Sequence, residues 1–306
     1  MRHPKRRLAQ QEPGRGRAGR GAKLGVVLGL TALAATGCSW SDLPRFGWPS
    51  AITPQGSRML HLWSASWIAA LALGALVWGL TFWTVVFHRK KDDELPKQVK
   101  YNGLVEATCI VVPFIAIAVL FYFTAITENF VNKETKHPDV TVTVVAFKWN
   151  WQFQYDQVTS PVNKQPVNTV GTSDEIPILV LPTNQTIRIN EEATDVIHSF
   201  WVPALLFKRD VVPGLHNSFE VTITKKGAYV GHCAELCGTY HSMMNFELRS
   251  VSQADYHTYL QKLQTFKPGS PNYNNRQAAA LAAIGQPTKA VTTHPFSTDR
   301  TLRHSS

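Results

Sequence analysis

The 306-residue chain has a formal net charge of +10, and its length suits one ordinary domain plus membrane segments. Residues 1–37 carry eight basic side chains, including Arg2, Lys5, Arg15 and Lys23, against Glu12 alone, and the region after residue 132 is close to neutral. Such a basic leader argues against a nucleic-acid face, and the four cysteines, Cys38, Cys109, Cys233 and Cys237, fall in three contexts that make no disulfide framework.

In chain order, the leader runs into a short apolar stretch, Leu24 to Ala35, and then Ala-Thr-Gly-Cys38. This is the layout of a bacterial signal peptide over 1–37. It resembles a lipoprotein signal that is cleaved before Cys38 and lipidated there, although Ala35 stands where leucine is usual. A plain signal peptide is the alternative.

An external segment, 38–58, precedes two long apolar runs, Leu60 to Phe87 and Ala107 to Ile126. Each reaches the ~20 residues that span the hydrocarbon core as a helix, which predicts transmembrane helices over 59–88 and 106–127. The loop between them, 89–105, holds Arg89, Lys90, Lys91, Lys97 and Lys100. Positive loops stay in the cytoplasm, so everything after the second span is expected outside a bacterial plasma membrane. Glu106 lies at the inner mouth of the second span. It is either a solvated helix-end residue or a carboxylate through which protons are taken up. Cys109 reads as a small packing residue.

The pattern changes at Val140. Val140 to Phe147 is rich in β-branched residues, and Trp149, Trp151, Phe153 and Tyr155 alternate with polar residues at the period of a strand. Short strand-like runs follow at 178–181, 186–190, 217–224, 228–231 and 245–251, punctuated by Pro and Gly. They predict an all-β Greek-key sandwich or barrel over 133–265. Residues 157–175 read as a long inserted loop, 254–264 as a helix, and 266–306 as a polar extension with a short helical candidate at 276–284.

The chemistry concentrates in Cys233-Ala-Glu-Leu-Cys237-Gly-Thr-Tyr-His241-Ser-Met-Met244. Cysteine, then histidine four residues on, then methionine three further, matches a copper site with soft thiolate, imidazole and weak thioether. A second histidine usually comes from elsewhere, and His198 is the candidate. Cys233 adds a second thiolate. Two thiolates four residues apart can bridge two copper ions, each with one histidine, leaving Met244 and the Glu235 carbonyl as weak axial ligands. A disulfide and a two-Cys, two-His zinc site are the alternatives, and zinc gives Met244 and Glu235 no role.

Cys-x-Glu-x-Cys-Gly-x-x-His-x-x-Met, with Asp195-Val-Ile-His198-Ser-Phe-Trp-Val-Pro203 upstream, resembles subunit II of the haem–copper cytochrome c oxidases. The resemblance spans about 58–265 and implies a helical hairpin followed by a cupredoxin-like sandwich. Cys233 and Cys237 would bridge a dinuclear copper A centre, with His198, His241, Met244 and the Glu235 carbonyl completing it. It also implies a Mg or Mn shared with subunit I through the Glu235 side chain, with Asp210 as an outer partner. Electrons would arrive at Trp149, and Glu106 would open a proton channel. Haems would belong to subunit I alone, and subunits I and III would be partners. Leu215 and Thr194 depart from the pattern, where Arg and an acid are common. The acidic face for a soluble basic cytochrome c is therefore thin, and the donor is expected to be a tethered cytochrome or a complex III subunit in a supercomplex. Three rivals fit less well. A quinol oxidase relative lacks the ligands, nitrous-oxide reductase needs a propeller domain, and a copper carrier exposes few exchangeable ligands.

Overall fold

The structure is a computed structural model that describes residues 45–90, 94, 97–270 and 273–295. The signal-peptide and Cys38 expectations lie outside these residues. Two helices come first, α1 (Pro54–Phe87) and α2 (Gly103–Val131). Thr53 caps α1 by accepting the Gly56 N–H at 2.9 Å, with Pro54 at the first helical position, where its missing N–H costs nothing. α2 opens with a reciprocal cap: Asn102 Oδ1 accepts the Val105 N–H at 3.3 Å, and Glu106 Oε1 accepts the Asn102 N–H at 3.1 Å. At ~1.5 Å per residue, 34 and 29 residues exceed the ~30 Å hydrocarbon core. Both helices are long and apolar enough to cross a membrane, and their apolar stretches are unburied.

Ten strands form the rest of the core: β1 (Val140–Phe147), β2 (Asn150–Thr159), β3 (Pro166–Val170), β4 (Ile178–Pro182), β5 (Ile187–Ala193), β6 (His198–Val202), β7 (Phe207–Val211), β8 (Asn217–Val221), β9 (Gly227–Cys233) and β10 (Asn245–Val251). They make two five-stranded sheets, ordered β3-β2-β1-β5-β8 and β4-β10-β9-β6-β7. Neighbours are antiparallel except β1 with β5 and β10 with β4. The alternation read from sequence is real: Trp151, Phe153 and Tyr155 are fully buried in β2. Trp151 and Phe153 pack with Phe200 and Phe246 from the facing sheet, Phe200 and Phe246 stacking at 4.8 Å, and Tyr155 meets Tyr256 and Tyr259. Ile52, just ahead of α1, is tied to the sandwich, because its N–H donates to Ala204 O and its O accepts from Thr224 N–H.

Three expectations need correction. Trp149 is not the first residue of the buried face; it sits in the turn between β1 and β2, half-buried. The segment 157–175 is not wholly loop, because β2 continues to Thr159 and β3 pairs back on it, a register the polar composition concealed. The residues after 266 are not free of the domain. Helix α3 (Gln253–Gln264) is followed by α4 (Arg276–Ala283), whose Ala280 and Leu281 are buried, and Gln277 Oε1 caps the β4 edge by accepting the Ile178 N–H at 3.0 Å.

Candidate metal centre

Three adjacent strands build the site. Cys233 ends β9, His198 begins β6, and the pairing of Phe200 with Cys233 brings them together. The 234–244 segment then joins β9 to β10, returning through a single 3-10 turn, His241–Met243. Two main-chain bonds pin it: Cys233 N–H donates to Met244 O and Ala234 N–H to Ser199 O, both at 3.0 Å.

The donor atoms converge. Cys233 Sγ lies 3.8 Å from Cys237 Sγ, 3.8 Å from His198 Nδ1 and 3.3 Å from the Glu235 carbonyl oxygen. Cys237 Sγ lies 3.6 Å from His241 Nδ1 and 3.9 Å from Met244 Sδ. A disulfide needs sulfurs about 2.05 Å apart, so the cysteines are free thiols. Ligands bonded at ~2.3 Å to one tetrahedral ion stand about 3.7 Å apart, which is close to these spacings. Among the described residues, His198, Cys233 and Cys237 place ligand atoms within 4.8 Å of one another, as a shared ion requires. The thioether of Met244, 1 % exposed, selects a soft metal over zinc. The residues present therefore fit copper.

Neighbouring groups orient the ligands. Asp195 Oδ1 is 2.8 Å from His198 Nε2, so Nε2 carries the proton and Nδ1 faces the sulfurs with its lone pair. The same carboxylate accepts N–H bonds from Lys148 and Val196, and despite partial burial it is held below the usual carboxylate range by these bonds and by His198. Burial pushes the Cys233 thiol up, but hydrogen bonds from His198 and from main-chain groups win, lowering it to about 6. Cys237 moves the other way, raised first by burial and then by the charge on Cys233. A metal bound here would take both sulfurs as thiolates.

Trp149 connects this centre to the surface. Its Nε1–H donates to Cys237 O at 3.1 Å and its ring meets Tyr240 edge-on at 4.9 Å. Gly238 makes this possible: its φ is +121°, and a Cβ there would stand 3.2 Å from the indole. Trp151 Nε1–H donates to Met244 O at 3.2 Å from the core side.

The structure thus brings together His198, Cys233, the Glu235 carbonyl, Cys237, His241, Met244 and Trp149. Asp210 stands apart, on β7 opposite Ser199, with Lys208 Nζ at 3.0 Å. Glu106 is at the far end of α2 from the sandwich, capping the first turn. Asp195 and Tyr240 are additions of the structure: Asp195 stands three residues before His198, a spacing that signals its contact, and Tyr240 carries no sequence signal.

Residues 140–251 match the family model described as cytochrome C oxidase subunit II, periplasmic domain. A probable cytochrome c oxidase subunit 2 of Nocardia farcinica is 46% identical, covering 95% of this chain and 92% of its own. Cytochrome c oxidase subunit 2 of Corynebacterium glutamicum is 38% identical, covering 92% and 94%. The solved periplasmic domain of subunit II of cytochrome oxidase from Bradyrhizobium japonicum is 27% identical over 43% of this chain and 97% of its own, with a TM-score of 0.37. The chain belongs to the cytochrome c oxidase subunit II family and is a subunit of that enzyme.

Proposed function

We propose that this chain accepts electrons from a cytochrome c donor at a dinuclear copper A centre and passes them to the haem of subunit I, where O2 is reduced to water with proton pumping. The convergence of six soft or weak donors on one buried spot directly behind Trp149 carries this reading. When bound, the copper pair would supply a one-electron couple.

Cys233, Cys237, His198 and His241 would hold the copper, with Met244 and the Glu235 carbonyl as weaker ligands. Asp195 keeps the His198 ring in the ligating tautomer. Burial of Cys233, Cys237, His198 and Met244 keeps water out, and a closed ligand set leaves no place for substrate. This is a relay rather than a reaction site.

The wider assembly follows from the same reading. The Glu235 side chain would meet a Mg or Mn at the contact with subunit I, with Asp210 near it. Haems would sit in subunit I, and subunit III would complete the complex. Residues 1–37 would be cleaved and Cys38 lipidated. The two helices would be anchored in the bacterial plasma membrane with the sandwich outside. Glu106 would take up protons at the inner face. Glu106→Gln should then slow reductive proton uptake with copper retained; wild-type turnover in that variant would remove the assignment.

The deciding experiment is metal analysis and EPR of the oxidase purified from its native membrane. Two coppers per chain with the seven-line mixed-valence pattern are expected. One isolated Cu(II), or none, would overturn the proposal.

A further inference from the structure

The segment after α4 is clamped onto the sandwich by a buried ion pair. Glu247 and Arg249 are 0 % and 2 % exposed on β10, three and five residues after Met244. Strand alternation puts both on one face of the sheet, opposite the core residues Phe246 and Leu248. Arg249 Nε donates to Glu247 Oε1 at 3.0 Å. The other carboxylate oxygen accepts from Val291 N–H at 2.7 Å and from the Thr292 N–H and hydroxyl, both at 2.9 Å. Arg249 donates onward to Pro287 O and Lys289 O. The pair thus grips a strap of main chain over 287–292.

The strap leads to the electron-accepting surface. Pro295 lines a groove of about 500 Å³ together with Lys148, Trp149, Tyr240, Met243 and Asn245. Among the described residues, Lys148 is the only ionised side chain in its lining, and no carboxylate lines it. Such a groove complements an apolar edge framed by neutral or acidic groups, not a ring of lysines.

We infer that the strap sets the position of Pro295, which forms part of one wall of the donor-docking groove, and that the groove takes a cytochrome whose exposed haem edge is rimmed by neutral or acidic residues. This rests on the reading that electrons arrive at Trp149. The clamp holds the wall in place before the donor arrives, which lowers the ordering cost of docking.

The test uses the purified, copper-loaded oxidase, as wild type, truncated after Gly285, and as Thr292→Val. Truncation leaves Glu247 and Arg249 paired with each other. Copper reduction is followed by stopped flow with two probes: a reduced acidic soluble c-type cytochrome, and hexaammineruthenium(II), which needs no docking surface. Truncation should slow the cytochrome reaction, and weaken binding of the oxidised cytochrome, by roughly tenfold, the loss of one packed contact surface. The ruthenium rate and the mixed-valence EPR should not change, and Thr292→Val should fall between. In the wild type, a basic cytochrome c should react more slowly than the acidic one at low salt.

An unchanged cytochrome rate in both variants would overturn the inference. So would a joint fall in both rates with an altered EPR signal, since the strap would then only prop the copper loop. A faster basic probe would overturn the assignment of donor charge. Trp149→Leu, run in parallel, separates the underlying reading. If that variant takes electrons from the cytochrome as fast as wild type, Trp149 is not where they arrive, whatever the truncation shows.

Discussion

The two ends of β10 bury polar chemistry in opposite ways. At its beginning, the sulfur and imidazole groups of Cys233, Cys237, His198, His241 and Met244 stand 3.6 to 3.9 Å from one another, weak sulfur contacts at the spacing of ligands around a shared soft metal. Near its end, Glu247 and Arg249 bond each other and main-chain groups of the strap. Both clusters are shielded from water. The first gathers soft ligand atoms on one spot, and the second is closed on itself by strong hydrogen bonds. Buried polar groups cost free energy unless partnered, so the distances among them tell whether the partner is protein or ligand.

Three changes test this contrast. The largest effect is expected at the open cluster. Cys233→Ser should abolish the mixed-valence EPR signal while costing the metal-free domain only about 1–2 kcal/mol, the scale of a weakened buried hydrogen bond. Retention of the signal would end the bridging assignment. At the closed cluster, Glu247→Ala should cost about 3–5 kcal/mol, the penalty of stranding a buried guanidinium. Thermal unfolding of the external domain, followed by tryptophan fluorescence, would show it. A loss under 1 kcal/mol would mean the clamp is not the closed unit described.

The smallest effect belongs to Glu191, a buried acid that fits neither pattern. It is 1 % exposed and neither carboxylate oxygen has a partner. Burial pushes it up to about 9, with Arg209 opposing and Asp210 adding. The folded domain therefore keeps the proton between about pH 4.5 and 9 while the unfolded chain releases it, so this group lowers stability as pH rises across that window. Glu191→Gln should raise Tm by about 3 °C or more at pH 8 and by almost nothing at pH 5. Equal gains at both pH values would show that the proton is not what matters there.

Much of the site was legible because its ligands are close in the chain. Cys233, Cys237, His241 and Met244 fall within twelve residues, and spacing there sets the geometry that a short loop can reach. His198 was legible through its neighbours and through the need for a second imidazole. The clamp was not. Glu247 and Arg249 look like ordinary outward-facing strand residues, and nothing near them announces a strap forty residues on. Trp149 was placed with Trp151 and Phe153 by alternation, yet the β1–β2 turn removes it from the core, and Gly238 receives its ring.

The amino-acid sequence by itself determined the two apolar helices, the alternation of the strands and the donor set of the metal centre. The helices and strands depend on local periodicity, and Cys233, Cys237, His241 and Met244 on close spacing; His198, further off in the chain, was marked by its own neighbours. Only the tertiary structure decided which carboxylate orients His198, that β3 folds back on β2, and that the strap ends beside Trp149. Those contacts join residues brought together by sheet order and register, which no local pattern of side chains encodes.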